Sequence, residues 1–328
     1  MKLYFDFRDL FRAPRLGLSG KKIMVFTVAN VIGWAIYWLL TYLAYSVSGY
    51  SFSAMWNQYG LYPCLFGHPA PWYGWAIYSL GLILWFFAIN FACTAVARIT
   101  YKQLKGDEFF SSGDAFKYVK KHWYPIVFTL ISLIAIVIFF VIGAIIFALF
   151  GKIPYVGEFL FSLPYLLYFF GSVFTVYTVV VLVTAFIYTP AIVAAYEEDT
   201  MGAVFQSYSI TWGQPWRVIL YNLLLVPLAG IGVVIFRYFW LAGYNMINIV
   251  FGQSWLMGTK LAHVVGWATQ VVIPGAHPCV TNTCCGAMPQ VQNSLTCLMK
   301  FPAGTTLSGT ELVSGIILAI FFFLLFAS

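Results

Sequence analysis

Cys64 and His68 share the segment Pro63-Cys64-Leu65-Phe66-Gly67-His68-Pro69, and His277, Cys279, Cys284 and Cys285 share a second short stretch. Thiolate and imidazole are the ligands that zinc and copper favour, so a metal or redox centre is one chemistry these residues could support. Their spacing matches no strong zinc motif. With Cys297 they also form a set of five cysteines, Cys64, Cys279, Cys284, Cys285 and Cys297, in segments that read as extracytoplasmic. An oxidising compartment there would favour disulfides, with one thiol left over. Disulfides are the favoured reading; a metal held by Cys64, His68, His277, Cys279, Cys284 and Cys285, or neither, stays open. Cys93 lies apart from this set, in an apolar run.

Other chemistry has little to build on. There is no glycine-rich phosphate loop, no nucleophile elbow and no paired His-Glu zinc helix. A membrane haem needs histidines facing one another inside spans, whereas His68, His122, His263 and His277 all fall at edges or in loops. No Cys-x-x-Cys-His attachment motif occurs. The chain therefore reads as non-catalytic, with no cofactor expected beyond bound lipids.

The elements that must carry these residues follow from composition. The 328 residues are 62% hydrophobic and 8% charged, against roughly 25% charged in soluble domains, so water is not the main solvent. Uncharged runs near 23–47, 73–97, 124–150, 164–190, 218–243 and 310–327 approach the roughly 20 residues that cross a bilayer as a helix. The predicted fold is an all-α membrane protein of about six transmembrane helices arranged as three hairpins. Its parts are a cytoplasmic amphipathic segment (1–22), a five-span bundle (23–243), an extracytoplasmic cysteine-containing segment (244–309) and a sixth span (310–328).

Charge sets the expected orientation. Lys2, Arg8, Arg12, Arg15, Lys21 and Lys22 precede the first span, and Arg98, Lys102, Lys105, Lys117, Lys120 and Lys121 lie between the second and third. The positive-inside rule makes both clusters cytoplasmic. Basic residues so placed follow topology, and no nucleic-acid partner is expected. The first apolar run exceeds the roughly 7–15 residues of a signal peptide and reads as a retained anchor. A bacterial inner membrane with a cytoplasmic N-terminus is the expected location.

A short amphipathic stretch precedes each odd-numbered span. Leu3, Phe7, Leu10 and Phe11 share one helical face; Ser111 and Asp114 have capping-box spacing ahead of Phe116, Val119 and Trp123; Asp199 can cap a helix whose apolar positions are Met201, Val204, Phe205, Tyr208 and Trp212. The stretch 245–272, interrupted by Gln253, Gly258, Lys260 and His263, reads as a helix on the outer surface. Pro190 and Pro227 are expected kinks. Asn30, Asn90 and Asn222 inside spans read as bridges between helices, and Arg237 as a residue near the outer interface. The last span ends in Phe326-Ala327-Ser328 with no anchoring charge, which predicts either further chain or shielding by a complex.

Thr189-Pro190, Glu197-Glu198, Ser207, Thr211, Gly213, Trp216 and Arg217 together resemble a pattern in bacterial six-span proteins related to the membrane domain of glycerophosphoryl diester phosphodiesterases. The resemblance implies the six-span fold. It implies no activity, because the phosphodiesterase chemistry of that family belongs to a separate soluble barrel. The expected function is a scaffold or accessory subunit of a larger membrane complex, in contact with lipids and other membrane subunits. A transporter or channel for a lipid-like or neutral solute is the alternative, and a redox or metal-binding subunit the second alternative.

Overall fold

The computed structural model describes residues 11–107, 109–151, 157, 162, 164–253, 255–272 and 308–327. Among them every regular element is a helix: α1 (Ala13–Gly17), α2 (Gly20–Val47), α3 (Phe52–Tyr59), α4 (Trp72–Leu104), α5 (Ser112–Lys121), α6 (Trp123–Phe150), α7 (Tyr165–Tyr196), α8 (Thr200–Gly213), α9 (Pro215–Phe251), α10 (Thr259–Val272) and α11 (Gly309–Ala327). Helices α2, α4, α6, α7 and α9 are long and apolar enough to cross a membrane, and α11 is a shorter apolar helix. A helix satisfies its own backbone donors and acceptors, which is the condition hydrocarbon imposes on a spanning segment.

The fifth apolar run, expected to end near 243, continues without a break to Phe251 as a helix of 37 residues. That is about 55 Å at the α-helical rise. Gly243 alone weakens a helix by only about 1 kcal/mol, so the chain turns only beyond it. Pro190 and Pro227 both sit inside their helices without ending them.

Two compact units divide the chain: Met1–Phe26 with Asn90–Leu228, and Thr27–Ile89 with Ala229–Ser328. In the first, Val25, Ala95, Ile99, Val119, Ile126, Val193 and Ala203 share one core. Helix α6 packs on α7 and α8, and α7 packs on α8. Ser111 caps α5 as its sequence predicts, accepting from the Asp114 amide at 3.1 Å and donating to the Asp114 carboxylate at 2.6 Å. Asp199 occupies the N-cap position of α8, but its side chain makes no capping bond.

Helix α8 turns its small residues inward. Its buried face consists of Ala203, Val204, Ser207 and Thr211, while Met201, Phe205 and Trp212 are exposed, Trp212 by 78%. Small and hydroxyl side chains face inward because they let helices approach closely. In an apolar solvent, bulky apolar groups gain nothing by leaving it. On α5 likewise Ala115 and Val119 are buried and Phe116 is exposed, as is Trp123 at the start of α6. Of the first amphipathic stretch, Leu3, Phe7 and Leu10 lie outside the described residues, and Phe11 is exposed.

In the second unit, α2 and α4 run antiparallel in a register set by three glycines. A Cβ on Gly33 would stand 2.6 Å from the Ala88 Cβ, one on Gly74 2.5 Å from the Ser48 hydroxyl, and one on Gly81 3.3 Å from the Leu40 Cβ. Helices α10 and α11 pack together with Tyr244 of α9, around Val265, Ala268, Val272, Ala319 and Phe322. The expected surface helix within 245–272 is thus divided between the end of α9 and a separate α10.

Candidate functional site

In the first unit, the carboxyl end of α7 is where polar groups converge. Small residues Ala92 and Ala95, with Thr94, bury one side of α4. That close approach brings Arg98, one to two turns further on, against α7. Its guanidinium donates to the Ala194 carbonyl at 2.8 Å and forms an ion pair with Glu197. The same group lies 4.2 Å from the centre of the Tyr118 ring, within cation–π range. The Tyr118 hydroxyl in turn donates to the Val193 carbonyl at 2.7 Å. Carbonyls at the end of a helix can lack a partner within it; α4 supplies the donor for Ala194, while the Val193 carbonyl also accepts from the Glu197 amide at 3.2 Å.

Glu197 follows α7 in the left-handed region, at φ 57, where glycine is usual and other residues are strained by about 1–2 kcal/mol. Arg98 holds its carboxyl below the usual carboxylate range, first through the hydrogen bond and then through its charge, with smaller contributions from His122 and Lys102. Burial pushes the Tyr118 hydroxyl up, so it remains a protonated donor.

Further along α7, hydroxyls bridge to α8. Thr184 and Thr211 lie 2.7 Å apart, and Thr178 lies 2.9 Å from the Tyr208 hydroxyl. The amide of Asn222 on α9 donates to the Tyr188 hydroxyl of α7 at 2.9 Å. In the second unit the Trp85 indole donates to Asn30 at 2.9 Å. Asn30 and Asn222 are therefore bridges between helices, as their positions predict.

The second unit holds an aromatic cage around the loop that joins α3 to α4. This loop, rich in glycine and proline, makes few backbone hydrogen bonds of its own, among them His68 N–H to the Leu65 carbonyl at 3.2 Å, and aromatic side chains satisfy other carbonyls. Tyr42 donates to Gly60 at 2.7 Å, Tyr45 to Cys64 at 2.6 Å, Tyr50 to Pro69 at 2.8 Å and the Trp34 indole to Leu61 at 3.2 Å, and Tyr37 donates to Pro63. Leu65 fills the centre of the cage with no exposed surface. Trp34, Leu61, Trp267, Ile316 and Phe323 border an apolar cleft of about 290 Å³.

Here Cys64 and His68 each have a tyrosine hydroxyl as partner. His68 Nε2 lies 2.8 Å from the Tyr59 hydroxyl, and the Cys64 sulfur 3.9 Å from that of Tyr78. Among the described residues Cys64 and Cys93 are free thiols. Among the described residues no group of three His, Cys, Asp or Glu could hold a metal. His277, Cys279, Cys284, Cys285 and Cys297 lie outside the described residues.

Arg98 is the residue at the centre of this polar cluster that its place in the sequence did not single out. By charge it reads as one member of a cytoplasmic cluster, but α4 runs on to Leu104 and turns it inward. The available signal was its spacing: Ala95, Arg98 and Lys102 share one face of a continuous helix. Comparison of the chain with protein-family models, with curated proteins and with solved structures finds no match.

Proposed function

We propose that this chain is a non-catalytic subunit of a larger assembly in a bacterial inner membrane, crossing six times as three hairpins with its N-terminus in the cytoplasm. The observation that carries the reading is α9, whose most apolar stretch has no buried residue among the described residues. Gly230, Gly232 and Gly243 on it leave open space where a Cβ would stand. Helices associate in lipid through close packing at small residues, so α9 is suited to receive a helix of another subunit. The two basic clusters support the orientation, and kinship with the six-span family suggested by Thr189 to Arg217 belongs to the same proposal.

The test is photo-crosslinking in the native membrane from residues replacing Leu223 or Val233 on α9, followed by mass spectrometry. Membrane subunits linked to α9 are the expected products. Crosslinks to lipid alone, with the purified chain free of other subunits, would overturn the reading.

A second reading, transport of a lipid-like neutral solute, draws on the apolar cleft between α2, α10 and α11. Its volume approaches the roughly 300–1,000 Å³ of small-molecule sites. Solute movement in liposomes containing this chain alone, abolished by Ala319→Trp, is the result that would favour it.

A further inference from the structure

We propose that the junction of α5 and α6 is a binding surface for an anionic phospholipid, with Lys120 and Lys121 receiving the phosphate and the exposed aromatic stack of Trp123, Tyr124 and Phe128 lying along the acyl chains. The inference rests on reading α6 as a membrane span and is independent of any partner subunit.

Position comes first. His122 is at once the last cap of α5 and the first cap of α6. Helix α5 is therefore fixed at the level where α6 leaves hydrocarbon, and its preceding turn is fixed by the end of α4. Its lysines stand at headgroup depth because the chain gives them no other place.

The side chains then divide by role. Ala115 and Val119 point into the core of the first unit. Lys117, Lys120 and Lys121 are exposed on the other side. Lys117 lies 3.9 Å from Asp114, whereas Lys120 and Lys121 have no ion pair among the described residues. Each lysine near an anionic surface strengthens association with it about fivefold.

Directly below them, the rings of Trp123 and Tyr124 lie 4.0 Å apart and those of Tyr124 and Phe128 5.3 Å apart. All three are exposed, Tyr124 by 55%. Tryptophan and tyrosine favour the boundary between headgroup and hydrocarbon. The inward face of the same helix, Ile126, Thr129, Leu130 and Leu133, is fully packed. The aromatic stack is thus left to lipid, and two unpaired cations above it select a negative headgroup. An acidic soluble partner would have no use for an apolar ring stack one turn below the charges.

Native mass spectrometry of the protein in nanodiscs of equal phosphatidylglycerol and phosphatidylcholine tests this. The wild-type chain should retain phosphatidylglycerol preferentially, Lys120→Gln with Lys121→Gln should lower that preference about thirtyfold, and the double arginine variant should keep it. In the unaltered protein, a photoactivatable phosphatidylglycerol should label the peptide spanning 117–128. Equal retention of the two lipids, an unchanged preference in the glutamine variant, or labelling only elsewhere would overturn the inference. Capture of polyglutamate by the same lysines without lipid preference would overturn it too. A chain recovered only in soluble form would overturn both this and the membrane reading, whereas insertion without anionic preference overturns this alone.

Discussion

Arg98 and Glu197 form an ion pair between a buried guanidinium and a carboxylate that is about half exposed, 7% against 53%. The asymmetry assigns the two ends different work. Arg98 is held by the Ala194 carbonyl and the Tyr118 ring as well as by Glu197, and so fastens α4 and α5 to the end of α7.

Removing the buried partner should therefore cost more. Arg98→Met leaves the Ala194 carbonyl without its donor and should lower stability by about 2–3 kcal/mol. Glu197→Gln should cost about 1 kcal/mol, because solvent already screens that end. Thermal unfolding in detergent would check the order. Equal losses for the two variants would refute the division of roles.

The same pair predicts a pH dependence. The folded state holds the Glu197 carboxyl below its ordinary value, so protons bind the unfolded state more readily. Its stabilising contribution is complete above the unfolded value of about 4.3 and is lost as pH falls through the lower folded value. The difference in Tm between wild type and Glu197→Gln should stay constant from pH 7 to 5 and close below about pH 4. A gap that instead widened on acidification would contradict the sign.

Gly33 should tolerate no side chain. A methyl there meets the Ala88 Cβ at 2.6 Å and the Trp85 ring at 2.8 Å, so Gly33→Ala should destabilise by about 1–3 kcal/mol. Adding Ala88→Gly should restore part of the loss, measured as thermal stability of the double variant. No rescue would mean that α2 and α4 do not meet at this register.

Cys64 should alkylate without prior reduction, slowly, because its loop is held by the cage. Tyr45→Phe removes the donor to the Cys64 carbonyl, which should cost about 1–3 kcal/mol if that carbonyl is left unsatisfied and should speed labelling severalfold. A Cys64 that reacts only after reductant is added would show a disulfide in place of the free thiol.

Topology offers a last check. A cysteine label after Lys105 should report the cytoplasm, and one at Asn57 the opposite side, as the basic clusters imply. Labelling of both positions from the same side would remove the orientation on which the lipid surface and the proposed assembly are drawn.

The apolar runs, the Ser111 cap and the bridging roles of Asn30 and Asn222 were legible in the sequence, because each follows from neighbours along the chain or from the cost of an unsatisfied amide in hydrocarbon. The inward face of each helix was not. Periodicity marks the buried side of a helix only where water lies opposite, and around α6, α7 and α9 both sides are apolar. Choice of face then depends on close fit and on particular hydrogen bonds between residues far apart in the chain. That is why α8 buries Ser207 and Thr211 and exposes Trp212. The cage around Cys64 depends on the same kind of contact, since hydroxyls from α2 meet loop carbonyls far from them in the chain. Arg98 depends on it most: its charge was plain in the sequence, but only the close approach of α4 to α7 turned that charge from solvent to the end of a helix.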